Sequence, residues 1–407
     1  MRTNTREPPT KSNLSMARQV HREPVQLLNV CHAVCHASIE GLNPRFAGAL
    51  LFELITAIAL AFASMISPAF AGSLDDADAA YARKAYTQAA GLYRQAALQN
   101  DAVAQFRLAG MYTRGEGVPQ SHRDAADWLL KSALLGYALA QNGLGVRYEK
   151  GQGVEQSAAR AAALYREAAE QRFALAQDNL SDLYAKGEGV ERDYVLAFVW
   201  SSLASANGEG RSARKRPAME QAMAPEQMLE ATTQLGIMFA RGRGVAVDAK
   251  RAVHFFQAAA VKGFVAAQFE LAECYDTGTG VAQDYRHAAS WYEKAAAQGN
   301  VRAQTNTAYM YEVGQGVPRD PTRAIKWYEK AAVQGDAVAQ YNLGALIESG
   351  RGVVQDHVEA HKWLNIAEVN GNLRATESRR LIENLMTPEQ INEAQTRASA
   401  WMKKHAR

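Results

Sequence analysis

From residue 102 to residue 371 the apolar positions fall at intervals of three and four, the spacing of one helix face. Two such faces alternate along the chain. The first carries Ala-Gln-x-x-Leu-Gly-x-x-Tyr-x-x-Gly, as in Ala140-Gln141 with Leu144, Gly145 and Tyr148. The small residue after Leu predicts a partner helix packed close by. The second face opens on Ala (125, 161, 197, 252, 288, 324, 360), and three residues later comes Trp128, Leu164, Trp200, Phe255, Trp291, Trp327 or Trp363. Between the two faces stands a Gly-x-Gly-Val tetrad whose first glycines are Gly115, Gly151, Gly187, Gly242, Gly278, Gly314 and Gly350. The steps are 36, 36, 55, 36, 36 and 36 residues, a period that means stacked supersecondary units. Three residues after each tetrad Val comes Ser121, Ser157, Asp193, Asp248, Asp284, Asp320 or Asp356, all good helix N-caps.

Composition sharpens this picture. The 407 residues include 77 Ala and only 11 Pro, which favours helix. Thirty Gly would oppose helix, but 14 lie in the tetrads and six more (Gly136, Gly208, Gly263, Gly299, Gly335, Gly371) close the second helices. A net charge of +3 excludes an electrostatic nucleic-acid binder, and 48% apolar content excludes a disordered chain. Three Cys cannot form a disulfide framework.

The first 49 residues read as a polar, disordered leader. Leu50 to Ala71 is an apolar run ending Ala69-Phe70-Ala71-Gly72, the small-residue pattern of a cleaved export signal. The run is also long enough to remain as a membrane anchor. A 46-residue lead-in is long for a signal, and translation starting downstream of Met1 would explain it. Either way the rest is expected outside the cytoplasm: in the periplasm, secreted, or anchored in the inner membrane facing the periplasm. Removing residues 1–71 takes away 6 basic and 4 acidic residues and leaves +1. Cys31-His32 and Cys35-His36 have zinc-like spacing but sit in the leader. Cys274 is read as a packed thiol.

The repeats resemble the Sel-one-like repeat family, relatives of the tetratricopeptide repeats. The cleanest copy runs from Ala267 to Gly299, and matching units cover about Asp75 to Gly371. The resemblance implies an all-α, right-handed superhelical solenoid of antiparallel helix pairs. It also implies an adaptor or scaffold that binds a protein partner without a cofactor. One branch of the family locks each unit with a disulfide, and this sequence lacks those Cys pairs.

Asp193–Ala231 aligns with Asp356–Ala394 at an offset of 163, with Met223-x-Pro225-Glu226-Gln227 matching Met386-x-Pro388-Glu389-Gln390. The second copy ends the sequence in a polar helix from about Pro388 to Lys404, as a terminal cap should. The expected organisation is a first array at 75–206, a cap-like insert or hinge at 207–230, a second array at 231–371 and capping helices at 372–407. The insert opens on a basic run, Arg211, Arg214, Lys215 and Arg216, read as a solvated face.

If tetratricopeptide geometry transfers, the first helices line the concave surface. The candidate contact residues there are Phe106, Asp178, Asp182, Phe269, Glu273, Asp276, Tyr309, Glu312, Tyr341 and Glu348. Aromatic groups supply contact area and acids favour a basic partner. The competing reading packs the aromatics between neighbouring units. Enzyme readings find little support. Gly-x-Gly-Val lacks the preceding strand and third Gly of a dinucleotide fingerprint. His357-x-x-x-His361 offers two metal ligands without a third and is read as solvent-facing. Ser212-x-x-Lys215 fits the penicillin-recognising nucleophile motif, but its Ser-Asp-Asn and Lys-Thr-Gly partners are absent. The sequence thus predicts a non-enzymatic interaction protein. It would be a regulator that binds the outer domain of a membrane sensor or enzyme, or a structural organiser of envelope or secretion assemblies.

Overall fold

The computed structural model describes residues 69–405. The expected leader and export or anchor segment lie outside the described residues, apart from residues 69–71. No described helix is long and apolar enough to cross a membrane. Residues Ala77–Arg407 form one compact unit. The described residues hold helices alone: α1 (Ala69–Ala82), α2 (Tyr86–Ala97), α3 (Ala102–Arg114), α4 (His122–Leu134), α5 (Ala138–Lys150), α6 (Ala158–Glu170), α7 (Ala174–Lys186), α8 (Tyr194–Ala206), α9 (Ser212–Ala222), α10 (Pro225–Arg241), α11 (Ala249–Ala260), α12 (Val265–Thr277), α13 (Tyr285–Ala297), α14 (Val301–Val313), α15 (Pro321–Val333), α16 (Ala337–Glu348), α17 (His357–Val369), α18 (Leu373–Glu383) and α19 (Pro388–His405). Each repeat is an antiparallel pair, and its second helix also packs on the first helix of the next pair.

The capping residues act as their types dictate. All seven Ser and Asp N-caps accept a backbone N–H of the first turn. Six first helices end on the tetrad's first Gly in the left-handed conformation, and α16 ends one residue earlier at Ser349. In two units the glycine after Leu lies under an aromatic ring of the second helix, and in the last Gly344 lies against Leu364. A Cβ on Gly145 would come within 2.6 Å of Tyr165, and one on Gly236 within 2.5 Å of Phe256. That ring belongs to the residue after the bulky position. Tyr165, Phe256, Tyr292 and Tyr328 are fully buried, whereas Trp291 and Trp327 before two of them are half-buried.

The Gln of each Ala-Gln pair links the units. Gln105, Gln141, Gln177, Gln268, Gln304 and Gln340 are buried, and each donates to a carbonyl eight residues earlier, at the end of the preceding helix. In five of them the amide oxygen accepts from a Gln or Asn thirty residues later, at the end of the following second helix, at 2.7–2.9 Å. The sixth, Gln105 Oε1, is buried without a partner among the described residues. The residue thirty positions on is Leu135, half exposed. A buried acceptor left unpaired is destabilising. Leu135→Gln is therefore expected to stabilise the protein by about 1 kcal/mol, read from its urea midpoint at constant slope. An unchanged or lower midpoint would show that Gln105 Oε1 gains nothing from a partner at that position.

The insert follows α8 as the C-terminal helices follow α17. α8 packs on both α9 and α10, and α17 on both α18 and α19. Buried side chains run without a break from Ala161 to Cys274 and include Met219 and Met223 of the insert. The second array docks through Gly244, whose carbonyl accepts from Gln177 (2.5 Å) and Asn207 (2.8 Å).

Candidate functional site

The ten candidate residues stand on α3, α7, α12, α14 and α16, all first helices. They differ in what covers them. Asp178 is 4% exposed, because the insert closes over it. Ser212 Oγ donates to Asp178 at 2.6 Å, and Lys215 Nζ reaches Asp178 at 2.9 Å and Asp182 at 2.7 Å. The basic run is thus not wholly solvated, since Lys215 points inward. Burial alone would lower the Lys215 amine, but the two carboxylates outweigh it and hold its pKa above the ordinary lysine value. Ser212 and Lys215 both donate to the α7 carboxylates, so the Ser-x-x-Lys pair works here as a clasp.

Phe269 is likewise buried, at 4% exposure. It leans on Tyr292 (5.7 Å between centroids) and lies under the Arg302 guanidinium (4.4 Å). The packing alternative therefore describes Phe269. Arg302 also pairs with Glu273 at 2.9 Å. Asp276 accepts from the Tyr292 hydroxyl at 3.3 Å, and Glu312 from Tyr328 at 3.0 Å. Tyr165 makes the same bond to Glu149 at 2.7 Å, so a buried tyrosine meeting a carboxylate sixteen residues earlier is a repeated packing device. Arg351 approaches Glu312 at 3.3 Å. Burial raises the pKa of Glu273 and Asp276. Tyr309 is 51% exposed, Tyr341 and Glu348 are half-buried, and Glu348 has no ion pair among the described residues. Three of the four second-array acids thus already have partners, and Tyr309, Tyr341 and Glu348 remain the most available contacts.

Phe106 has a different setting. It packs edge-on against Tyr137 (5.4 Å) and lines a cleft of about 300 Å³ between α3 and α5. Gly110, Thr113 and Val146 line it too, together with Arg107, Arg114 and Arg147.

One further expectation changes and another holds. His361 is fully buried, and its Nε2 lies 2.9 Å from Glu383, which Arg379 also binds. It is a joint between α17 and α18 rather than a solvent-facing side chain, because α18 covers that face. Cys274 is buried as expected, and burial, aided by Glu270 and Glu273, pushes its thiol up to about 11. Sequence reasoning missed the contacts of the buried Gln, the tyrosine–carboxylate bonds of Tyr165, Tyr292 and Tyr328, and Arg147. For the Gln the available signal was a polar residue kept at one register of an otherwise apolar face.

The Sel1 repeat family model matches residues 80–101, 102–137, 138–173, 174–209, 229–264, 265–300, 301–336 and 337–368. Only 210–228 separates the matched units. Among solved structures, c5321, a protective antigen of uropathogenic Escherichia coli displaying an SLR fold, is 29% identical over 79% of this chain and 88% of its own (TM-score 0.33). A Sel1 repeat protein from Oxalobacter formigenes is 30% identical over 64% of this chain and 96% of its own (TM-score 0.32). The immunity protein Pa5087 from Pseudomonas aeruginosa is 17% identical over 57% and 81% (TM-score 0.24). A comparison with curated proteins gave no match. With its repeats matched over more than half its length, the chain belongs to the Sel1 repeat family.

Proposed function

We propose that the protein is an exported interaction scaffold or regulator of the bacterial periplasm or envelope. It holds the outer domain of a membrane sensor or enzyme on the face built by its first helices. Proteins of this repeat family generally mediate protein–protein interaction. The observation that carries the reading is Tyr309, a large aromatic side chain half exposed on a first helix, with Tyr341 and Glu348 on the first helix of the next unit. An exposed aromatic on a rigid helix is the kind of group that anchors interfaces. Crosslinking in the envelope, with mass identification of the partner, tests this. The double variant Tyr309→Ala/Glu348→Gln is expected to keep its stability within about 0.5 kcal/mol and to lose most of the crosslinked partner. Undiminished crosslinking would overturn the assignment of this face. N-terminal sequencing of the mature form decides whether residues 50–71 are removed.

A further inference from the structure

The repeats serve as controls for one another. Three residues after the centre of the first-helix motif stand Met111, Leu183, Met238, Cys274, Met310 and Leu346, all buried. The seventh member of that set is Arg147, and it is only 5% exposed. Its guanidinium donates to the carbonyls of His122 (3.4 Å) and Gln152 (3.3 Å) and to the Thr113 hydroxyl. No carboxylate pairs with it among the described residues. Burial holds its pKa below the ordinary arginine value, and no anion acts against that shift. A buried cation without an anion is costly, and an apolar residue serves the same register in every other unit.

The helices around it carry a second departure. Gly110 in α3 and Gly143 in α5 lie mid-helix, where glycine is a weak choice. Neither makes the close approach that Gly145 makes. A Cβ on Gly143 would meet only Leu129, at 3.4 Å, and Phe106, at 4.0 Å. Other units carry Arg107, Asn179, Glu270 or Asn342 at its register. Together the glycines leave open the cleft of about 300 Å³ with Phe106 and Leu129 as apolar walls. Its lining contains three arginines and no acid. Arg107 and Arg114 are already partnered, by Asp78 (3.9 Å) and Glu116 (2.8 Å). One cation is left over, so the cleft matches a ligand of single negative charge better than a phosphate dianion.

We propose that this cleft binds a carboxylate carried on an extended peptide segment of a partner, with Arg147 taking the carboxylate and Phe106 the neighbouring apolar side chain. The proposal rests on the scaffold reading and adds a chemical selectivity to its first units. The carboxylate can belong to an Asp or Glu residue or to the last residue of the segment.

The test uses the purified full-length protein and a synthetic random hexapeptide library made in two forms, with free and with amidated C-termini. Wild type is expected to enrich peptides with a carboxylate beside an apolar residue. Enrichment in both forms assigns an Asp or Glu carboxylate, and enrichment confined to the free form assigns the terminus. Arg147→Met restores the apolar register of the other units. It is expected to raise the thermal midpoint and to weaken binding of the enriched peptides at least about tenfold. Gly143→Leu, which fills the cleft while keeping Arg147, is expected to lose the same peptides. A lower midpoint in Arg147→Met would assign Arg147 a structural role and overturn the proposal. So would library binding without carboxylate selection, selection retained in both variants, or displacement of bound peptide by inorganic phosphate at lower concentration than by acetate. Loss of the peptide result with envelope crosslinking through Tyr309 intact would remove the cleft and leave the scaffold reading standing.

Discussion

Gly316→Ala is expected to cost about 4 kcal/mol or more and to be among the most damaging single-methyl changes in the second array. Gly316 is the second glycine of its tetrad, at φ +74°. A Cβ there would lie 2.0 Å from the Tyr285 carbonyl oxygen and 2.4 Å from its carbon. Those atoms are backbone at the start of α13, so no rotamer change relieves the overlap. The neighbouring unit must back away, and the stacked apolar surface between the units opens with it. Gly335→Ala supplies the control. Its φ is +93°, but nothing lies within 4 Å of its Cβ, so only the left-handed backbone strain of about 1–2 kcal/mol is expected. Urea unfolding of both variants separates the effects. Equal losses would mean that the tetrad's second glycine is kept for its backbone conformation and not for contact between units.

That contact explains why so much of the fold was legible. A repeat shows its periodic constraints several times over, so the N-caps, the helix ends and the small residue after Leu stood out. The closing helix, expected over Pro388–Lys404, runs from Pro388 to His405. What periodicity does not reveal is which atoms meet. The Gln at each unit was visible as a letter, but its bond to a second amide thirty residues on joins side-chain ends across two helices. The candidate face was located by register alone, and of its residues Phe106 lines a cleft. Register could not show that Arg302 lies over Phe269, because the covering residue comes from the next unit. Nor could it show that α9 closes over Asp178. The insert does not repeat within the array, so nothing in the pattern brings Ser212 and Lys215 to a helix more than thirty residues back. His361 was misread for the same reason: α18 lies beyond the last tetrad.

Lys215→Met is expected to cost about 3 kcal/mol, a large loss for a side chain on a basic surface run. The loss comes from what remains behind. Asp178 is almost fully buried and would keep Ser212 as its hydrogen-bond donor but lose its cation. Asp182 is more open and can turn to water. Removing both charges should therefore hurt less than removing one, and Lys215→Met/Asp178→Leu is expected to recover much of the loss, less what Ser212 forfeits. The same pair ties the insert to α7, while Gln177 and Asn207 hold the Gly244 carbonyl of the second array. Breaking the clasp should free residues 207–224 before the arrays themselves unfold, so limited proteolysis of Lys215→Met is expected to cut there first. A loss under about 1 kcal/mol, with no new cleavage in that segment, would mean that apolar packing through Met219 and Met223 holds the insert without the ion pair.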